Sequence, residues 1–88
     1  MERTVAIVNR LGLHARAAAK LVTMASLFQA DIRVRKGPRE VSGKSIMGVM
    51  ILAAAKGSQI TLIAEGDDAA IALERMAELV ANRFGEDS

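Results

Sequence analysis

In the stretch DIRVRK, residues 31–36, charged and apolar side chains alternate strictly from Asp31 to Arg35. Only an extended strand puts a period of two onto opposite faces, so Ile32 and Val34 share one face and Arg33 and Arg35 the other. The same period recurs in TVAIV, 4–8, and in SQITLIAE, 58–65, where Ile60, Leu62 and Ala64 fall on one side. Strands of this kind belong to a sheet with one packed face and one wet face. The remaining segments change period and supply the cover. Ala18, Leu21, Val22, Ala25 and Phe28 lie at helical spacing and predict a helix over 15–28. Ser45 is a suitable N-cap for a short helix from Ile46 to Ala54, with Gly57 as a stop beyond it. Asp67 or Asp68 caps a longer helix marked by Ala69, Ala72, Leu73, Met76, Ala77, Val80 and Phe84, ended by Gly85 and followed by a polar tail, EDS. KGPR, 36–39, holds the only proline and reads as a hairpin turn into a short strand, EVS, 40–42. The order is βαββαβα, which packs as a two-layer α/β sandwich.

The layer between sheet and helices has to be aliphatic. Hydrophobic residues make up 51% of the 88, but the only aromatics are Phe28 and Phe84. A chain of this length supports a single domain, 1–88, around one core. There is no cysteine, hence no disulfide and no thiolate metal site, and a reducing cytoplasm is the simplest reading. No long apolar region follows Arg3, and the longest apolar run, 46–55, is too short for a bilayer. Charge is unevenly spread: residues 1–44 carry nine Lys/Arg against three Asp/Glu, a net +6, and residues 45–88 three against seven, a net −4. A basic face of this kind suits phosphate, nucleic acid or an acidic partner.

The only histidine, His14, stands in GLHARAAAK at the joint between a loop and the first helix. Ala15, Arg16 and Ala17 then supply the first backbone N–H groups of that helix, which have no intrahelical acceptor. With the helix dipole they form an anion site, and Arg16 adds a guanidinium whose fork suits phosphate. An imidazole here is placed to hold a covalent phosphoryl group. A lone histidine at a helix start also fits a cap or a surface residue, and the residues by themselves leave both readings open. Metal binding lacks a second histidine or a cysteine, and no nucleophile–base pair suggests a hydrolase.

Two motifs, NRLGLHARAAAKLV at 9–22 and GKSIMGVMILAAAKG at 43–57, resemble the signatures of the HPr family, the histidine-containing phosphocarriers of the bacterial phosphotransferase system. The likeness extends over essentially the whole chain. It implies an α+β open-faced β-sandwich: a four-stranded antiparallel sheet with three helices on one face. It implies that His14 takes a phosphoryl group on Nδ1 from phosphorylated enzyme I and passes it to a histidine or cysteine of an enzyme IIA-type acceptor. Arg16 would offset the phosphate charge, and no cofactor is implied. Ser45 matches the family's regulatory serine, the target of an HPr kinase/phosphorylase in many bacteria. Ile46, Met47 and Met50 match the apolar docking patch. Arg10, Lys20 and Lys44 read as its flanks, either a solvated rim or cations that steer an acidic partner. The family is mostly monomeric. Ala17 stands where the family usually has proline, and this form resembles carriers of the nitrogen-related branch and of proteobacteria without sugar uptake.

Ser45 as N-cap is worth about 1 kcal/mol over alanine, which does not exclude regulation. Met47 and Met50 fit core filling as well as docking, but a short helix apolar all round cannot hide every side against one sheet. Two other functions compete with phosphoryl transfer. A nucleic-acid module would use Arg33, Arg35, Lys36 and Arg39, but lacks aromatics for base stacking. A purely regulatory HPr-like protein would leave His14 without a task.

Overall fold

Alternation places the sheet to within a residue or two. In the computed structural model, which describes residues 1–88, the strands are β1 (Glu2–Ala6), β2 (Asp31–Lys36), β3 (Arg39–Ser42) and β4 (Gln59–Glu65). The helices are α1 (Ala15–Ala25), α2 (Ile46–Ile51) and α3 (Ala69–Ala81). The sheet order is β1-β4-β2-β3, every pair antiparallel. Across the packed face Val5 lies opposite Ile60, Val34 opposite Leu62 and Ile32 opposite Ala64, cross-strand pairs of the kind that stabilise a ladder. Ile32, Val34, Ile60, Leu62 and Ala64 are all buried and join α1 (Ala17, Leu21, Ala25) and α3 (Leu73, Met76, Val80) in one apolar core.

The other face of the sheet is wet, and its charges are matched. Arg35 lies 3.3 Å from Glu2 and 3.9 Å from Glu40; Arg33 lies 3.6 Å from Asp31 and 3.8 Å from Glu40. Exposed pairs of this kind are worth at most about 1 kcal/mol each. Their effect on function is larger, because all three acidic residues of the first half are spent on the two sheet arginines. That face is therefore not an open basic surface.

Three helix ends differ from the sequence reading. The helix expected over 15–28 stops at Ala25. Its last turn tightens to bonds three residues back, Leu27 N–H to Met24 and Phe28 N–H to Ala25. The Phe28 carbonyl is then taken by Lys44 Nζ at 2.7 Å. The helix expected from Ile46 to Ala54 stops at Ile51, because Ala53 turns to φ +49° and the Ala54 carbonyl accepts the Leu13 N–H at 2.9 Å. The stripe running to Phe84 breaks at Ala81: Arg83 and Phe84 sit at φ +56° and +54°, a tight left-handed turn closed by the Gly85 N–H on the Asn82 carbonyl at 3.0 Å, which tucks the Phe84 ring into the core. The first strand also spans Glu2–Ala6 rather than 4–8; Ile7 is already bonding to the loop before β4, through Ser58 and Gly57.

Asp68 departs from its expected role. It stands at the N-cap of α3 but makes no side-chain cap bond. Its carboxylate instead accepts the N–H groups of Gln29 and Ala30, both at 2.8 Å, and so ties the α1–β2 loop to α3. The Gln29 bond is the main cause holding its pKa below the ordinary aspartate value of 3.8; Lys44 contributes more weakly. A depressed carboxylate adds stability above its unfolded pKa and loses it as pH falls through the folded one. Asp68→Asn is therefore expected to melt at a lower temperature than wild type at neutral pH, with the two curves converging below pH 3.8. Thermal melts across that range check it; a constant gap down to strong acid would contradict the ionic origin.

Candidate functional site

His14 occupies the N-cap position of α1 in extended conformation, φ −70° and ψ 176°, and its side chain does not cap the helix. The ring is thereby left free for other work. Its carbonyl takes the Ala18 N–H at 2.9 Å, so the helix starts cleanly behind it. The N–H groups of Ala15, Arg16 and Ala17 have no hydrogen-bond partner. This unpaired amide end follows directly from the helix start, and the dipole makes it favourable to negative charge.

The preceding loop is held against the segment that follows α2. Gly12 takes φ +66°, and its backbone approaches Ala54 and Ala55 closely: a Cβ there would fall 2.4 Å from the Ala54 carbonyl oxygen. Leu13, buried beside it, anchors the loop through the Ala54 bond. The imidazole consequently stands in a shallow hollow lined by Arg10, Leu11, Arg16, Glu86, Asp87 and Ser88. Neither Arg10 nor Arg16 uses its guanidinium in a hydrogen bond or ion pair. The hollow thus offers two uncommitted cations beside one imidazole, whose side chain is 29% exposed.

The tail EDS is not the free end that its composition suggests. Glu86 Oε2 lies 2.5 Å from His14 Nε2. Its other oxygen, Oε1, accepts from Asn9 Nδ2 at 3.1 Å. The bond to His14 is the largest cause lowering the Glu86 pKa, followed by the bond from Asn9. Asn9, fully buried, also donates to the Gly12 carbonyl at 2.8 Å. Phe84 in the core, the Lys20 ammonium on the Phe84 carbonyl at 2.6 Å and the Arg10 N–H on the Ser88 carbonyl at 3.0 Å hold the tail in place. Of the two His14 ring nitrogens, Nδ1 is the one left without a hydrogen bond. Sequence reasoning missed Glu86 and Asn9; the buried asparagine beside the glycine loop gave no periodic signal.

Ser45 caps α2, its Oγ accepting the Gly48 N–H at 3.0 Å. Beyond it Ile46, Met47, Met50 and Ile51 are exposed, Met47 by 73%, whereas Val49 and Leu52 are buried. The apolar surface of α2 is therefore real for both methionines. Lys20 is placed differently: it lines a groove with Met24, Leu27 and Leu79, with its ammonium bound to Phe84 rather than free at the α2 patch. Lys44 is likewise engaged, on Phe28. No group of three or more His, Cys, Asp or Glu side chains is arranged to hold a metal ion, and no helix is long and apolar enough to cross a membrane.

An imidazole facing uncommitted amides and guanidiniums can hold a phosphoryl group covalently and give it back; fold and site define the class of small phosphohistidine carriers rather than turnover enzymes. The family described as "PTS HPr component phosphorylation site" matches residues 1–82. A phosphocarrier protein HPr of Cupriavidus necator is 48% identical over 86 residues, covering 98% of this chain and 97% of that one. A phosphocarrier protein NPr of Shewanella violacea is 44% identical, covering 100% of this chain and 97% of that one. The crystal structure of HPr-C-His from Thermoanaerobacter tengcongensis superposes with a TM-score of 0.95 at 43% identity, covering 100% and 99%. The chain belongs to the HPr family, the phosphocarriers of the bacterial phosphotransferase system.

Proposed function

We propose that His14 Nδ1 accepts the phosphoryl group of phosphorylated enzyme I and passes it to an enzyme IIA-type acceptor. The observation that carries this is an unbonded Nδ1 on the N-cap residue of a helix whose first three amides are unpaired, in a hollow that the ring shares with two free guanidiniums. On the phosphoimidazole the amide N–H groups of Ala15, Arg16 and Ala17 donate to the phosphate oxygens and Arg16 offsets their charge. Arg10 reinforces that field. Ile46, Met47 and Met50 dock both partners beside the imidazole, a use that exposed apolar surface near a transfer site favours. The carrier works as one domain and one chain in the cytoplasm. Ala17 keeps an N–H that proline would remove, which suits phosphate equally well. Incubation with phosphoenolpyruvate and enzyme I should load one acid-labile phosphate, read by mass spectrometry before and after acid. No gain with an enzyme I that loads a known HPr would overturn the proposal.

Ser45 gives the carrier a second input. A phosphate there adds roughly −1.5 to −2 charges at the start of α2. The helix tolerates that charge, but a partner seated on Ile46 and Met47 has to desolvate it. Ser45→Asp is expected to keep the melting temperature and slow loading of His14 roughly tenfold, which a kinetic assay with enzyme I reads. Equal loading rates would remove the regulatory role. Nucleic-acid binding is the weaker alternative, since Arg33 and Arg35 are occupied by carboxylates.

A further inference from the structure

We infer that Asn9 and Glu86 form a positioning pair that fixes the His14 tautomer, keeping the proton on Nε2 and the lone pair on Nδ1. The inference rests on the phosphocarrier reading above and names what makes its nucleophile ready.

A neutral imidazole carries one proton on either nitrogen, and the hydrogen bond made by one nitrogen decides which. A carboxylate only accepts, so at 2.5 Å Glu86 Oε2 holds the proton on Nε2. The carboxylate is itself aimed. Asn9 Nδ2 has two protons, and both are used: one on the Gly12 carbonyl at 2.8 Å and one on Glu86 Oε1 at 3.1 Å. Turning the Asn9 amide over would set its oxygen against the Gly12 carbonyl. The amide is therefore locked by the loop backbone, although this leaves Asn9 Oδ1 buried with no partner. A fully buried side chain that tolerates an orphaned acceptor is serving another requirement. That requirement is the acceptor at Glu86.

The chemistry of transfer uses the same contact. When the Nδ1 lone pair forms the N–P bond, the phosphorus bond to the donor breaks and its electron pair leaves with the donor. The ring keeps its Nε2 proton and becomes a phosphoimidazolium cation, whose charge Glu86 balances. In onward transfer the N–P electron pair returns to Nδ1. No proton has to be found or lost in either direction. Arg10, Arg16 and Asp87 border the hollow, but none bonds Nε2.

Glu86→Gln tests this without changing shape. Asn9 still demands an acceptor, so the glutamine oxygen turns to Asn9 and its NH₂ group faces His14 Nε2. The proton is then driven to Nδ1. Long-range ¹⁵N–¹H spectra at alkaline pH, with the ring neutral, should show a protonated Nε2 in wild type and a protonated Nδ1 in Glu86→Gln. Loading by enzyme I should slow about tenfold in the variant, the scale on which partners that orient a histidine act. Adding Asn9→Ala frees the glutamine to turn its oxygen to Nε2, so the double variant should regain the wild-type tautomer. Where Asn9→Ala lowers folding too far, Glu86→Ala should give a mixed-tautomer spectrum instead. An unchanged wild-type pattern in Glu86→Gln overturns the inference. The spectra need no partner protein, so a wild type that fails to load phosphate would defeat the functional reading while leaving the tautomer result legible.

Discussion

His14→Ala is expected to fold as wild type and to take up no acid-labile phosphate from phosphoenolpyruvate and enzyme I. The first half of that expectation comes from how the residue sits. His14 is part-exposed and contributes no cap bond to α1, and its carbonyl bond to Ala18 survives any substitution. What is lost is the contact with Glu86, on a tail that Phe84 and Lys20 still anchor. The melting temperature should therefore stay within a few degrees of wild type. The second half comes from the chemistry available. There is no cysteine and no second histidine to take over, and a phosphate on a serine would survive acid. Circular dichroism melts and mass spectrometry with and without acid treatment separate the two halves. Acid-labile phosphate on the folded variant would place the acceptor elsewhere and dismantle the mechanism.

The sheet and its packed face were readable because period two leaves no freedom: Ile32, Val34, Ile60, Leu62 and Ala64 point inward as their alternation demands. The helix interiors were equally readable, and Ser45 caps α2 as its chemistry and position indicate. The ends were not, because they are decided by partners far away in the chain. Lys44 captures the end of α1 through Phe28, and Leu13 captures the carbonyl just past α2. Asp68 has all the local properties of a cap but is claimed by Gln29 and Ala30, nearly forty residues away in sequence. Helix propensity ranks these alternatives by fractions of a kcal/mol, and tertiary hydrogen bonds exceed that easily.

At the site, His14, Arg16 and the amide end of α1 could be placed from one nonapeptide, because a helix start is a local object. Glu86 could not. It reaches the imidazole only because Arg83 and Phe84 adopt positive φ and reverse the chain, a conformation that neither residue type advertises. The driving force is burial of the Phe84 ring, 1% exposed, which a straight continuation of α3 would not achieve in the same place. The split in charge was legible as numbers but not as geometry: the acidic residues of the first half neutralise the sheet, and Arg10 and Arg16 remain as the free cations beside His14.

Gly12→Ala should damage both stability and transfer, and the reason is positional rather than compositional. A non-glycine residue at φ +66° costs about 1–2 kcal/mol through its Cβ alone. Here the new atom also meets backbone, 2.4 Å from the Ala54 oxygen and 3.0 Å from Ala55 Cα, and backbone cannot rotate out of the way. The loop has to lift, which breaks the Leu13 bond to that same Ala54 oxygen and moves the Gly12 carbonyl away from Asn9. Together these effects put the loss at about 3 kcal/mol or more, a large share of the roughly 5–15 kcal/mol that such domains possess. Because His14 follows two residues later, enzyme I loading should fall even at temperatures where the variant is folded. Gly37→Ala supplies the comparison: its φ is +57°, but no atom lies within 4 Å of the added Cβ. It should lose only the backbone cost, about 1–2 kcal/mol, and load phosphate at the wild-type rate. Denaturant unfolding and initial loading rates of the two variants decide the matter; equal losses in both would mean that the close approach at Ala54 does not govern the position of the imidazole.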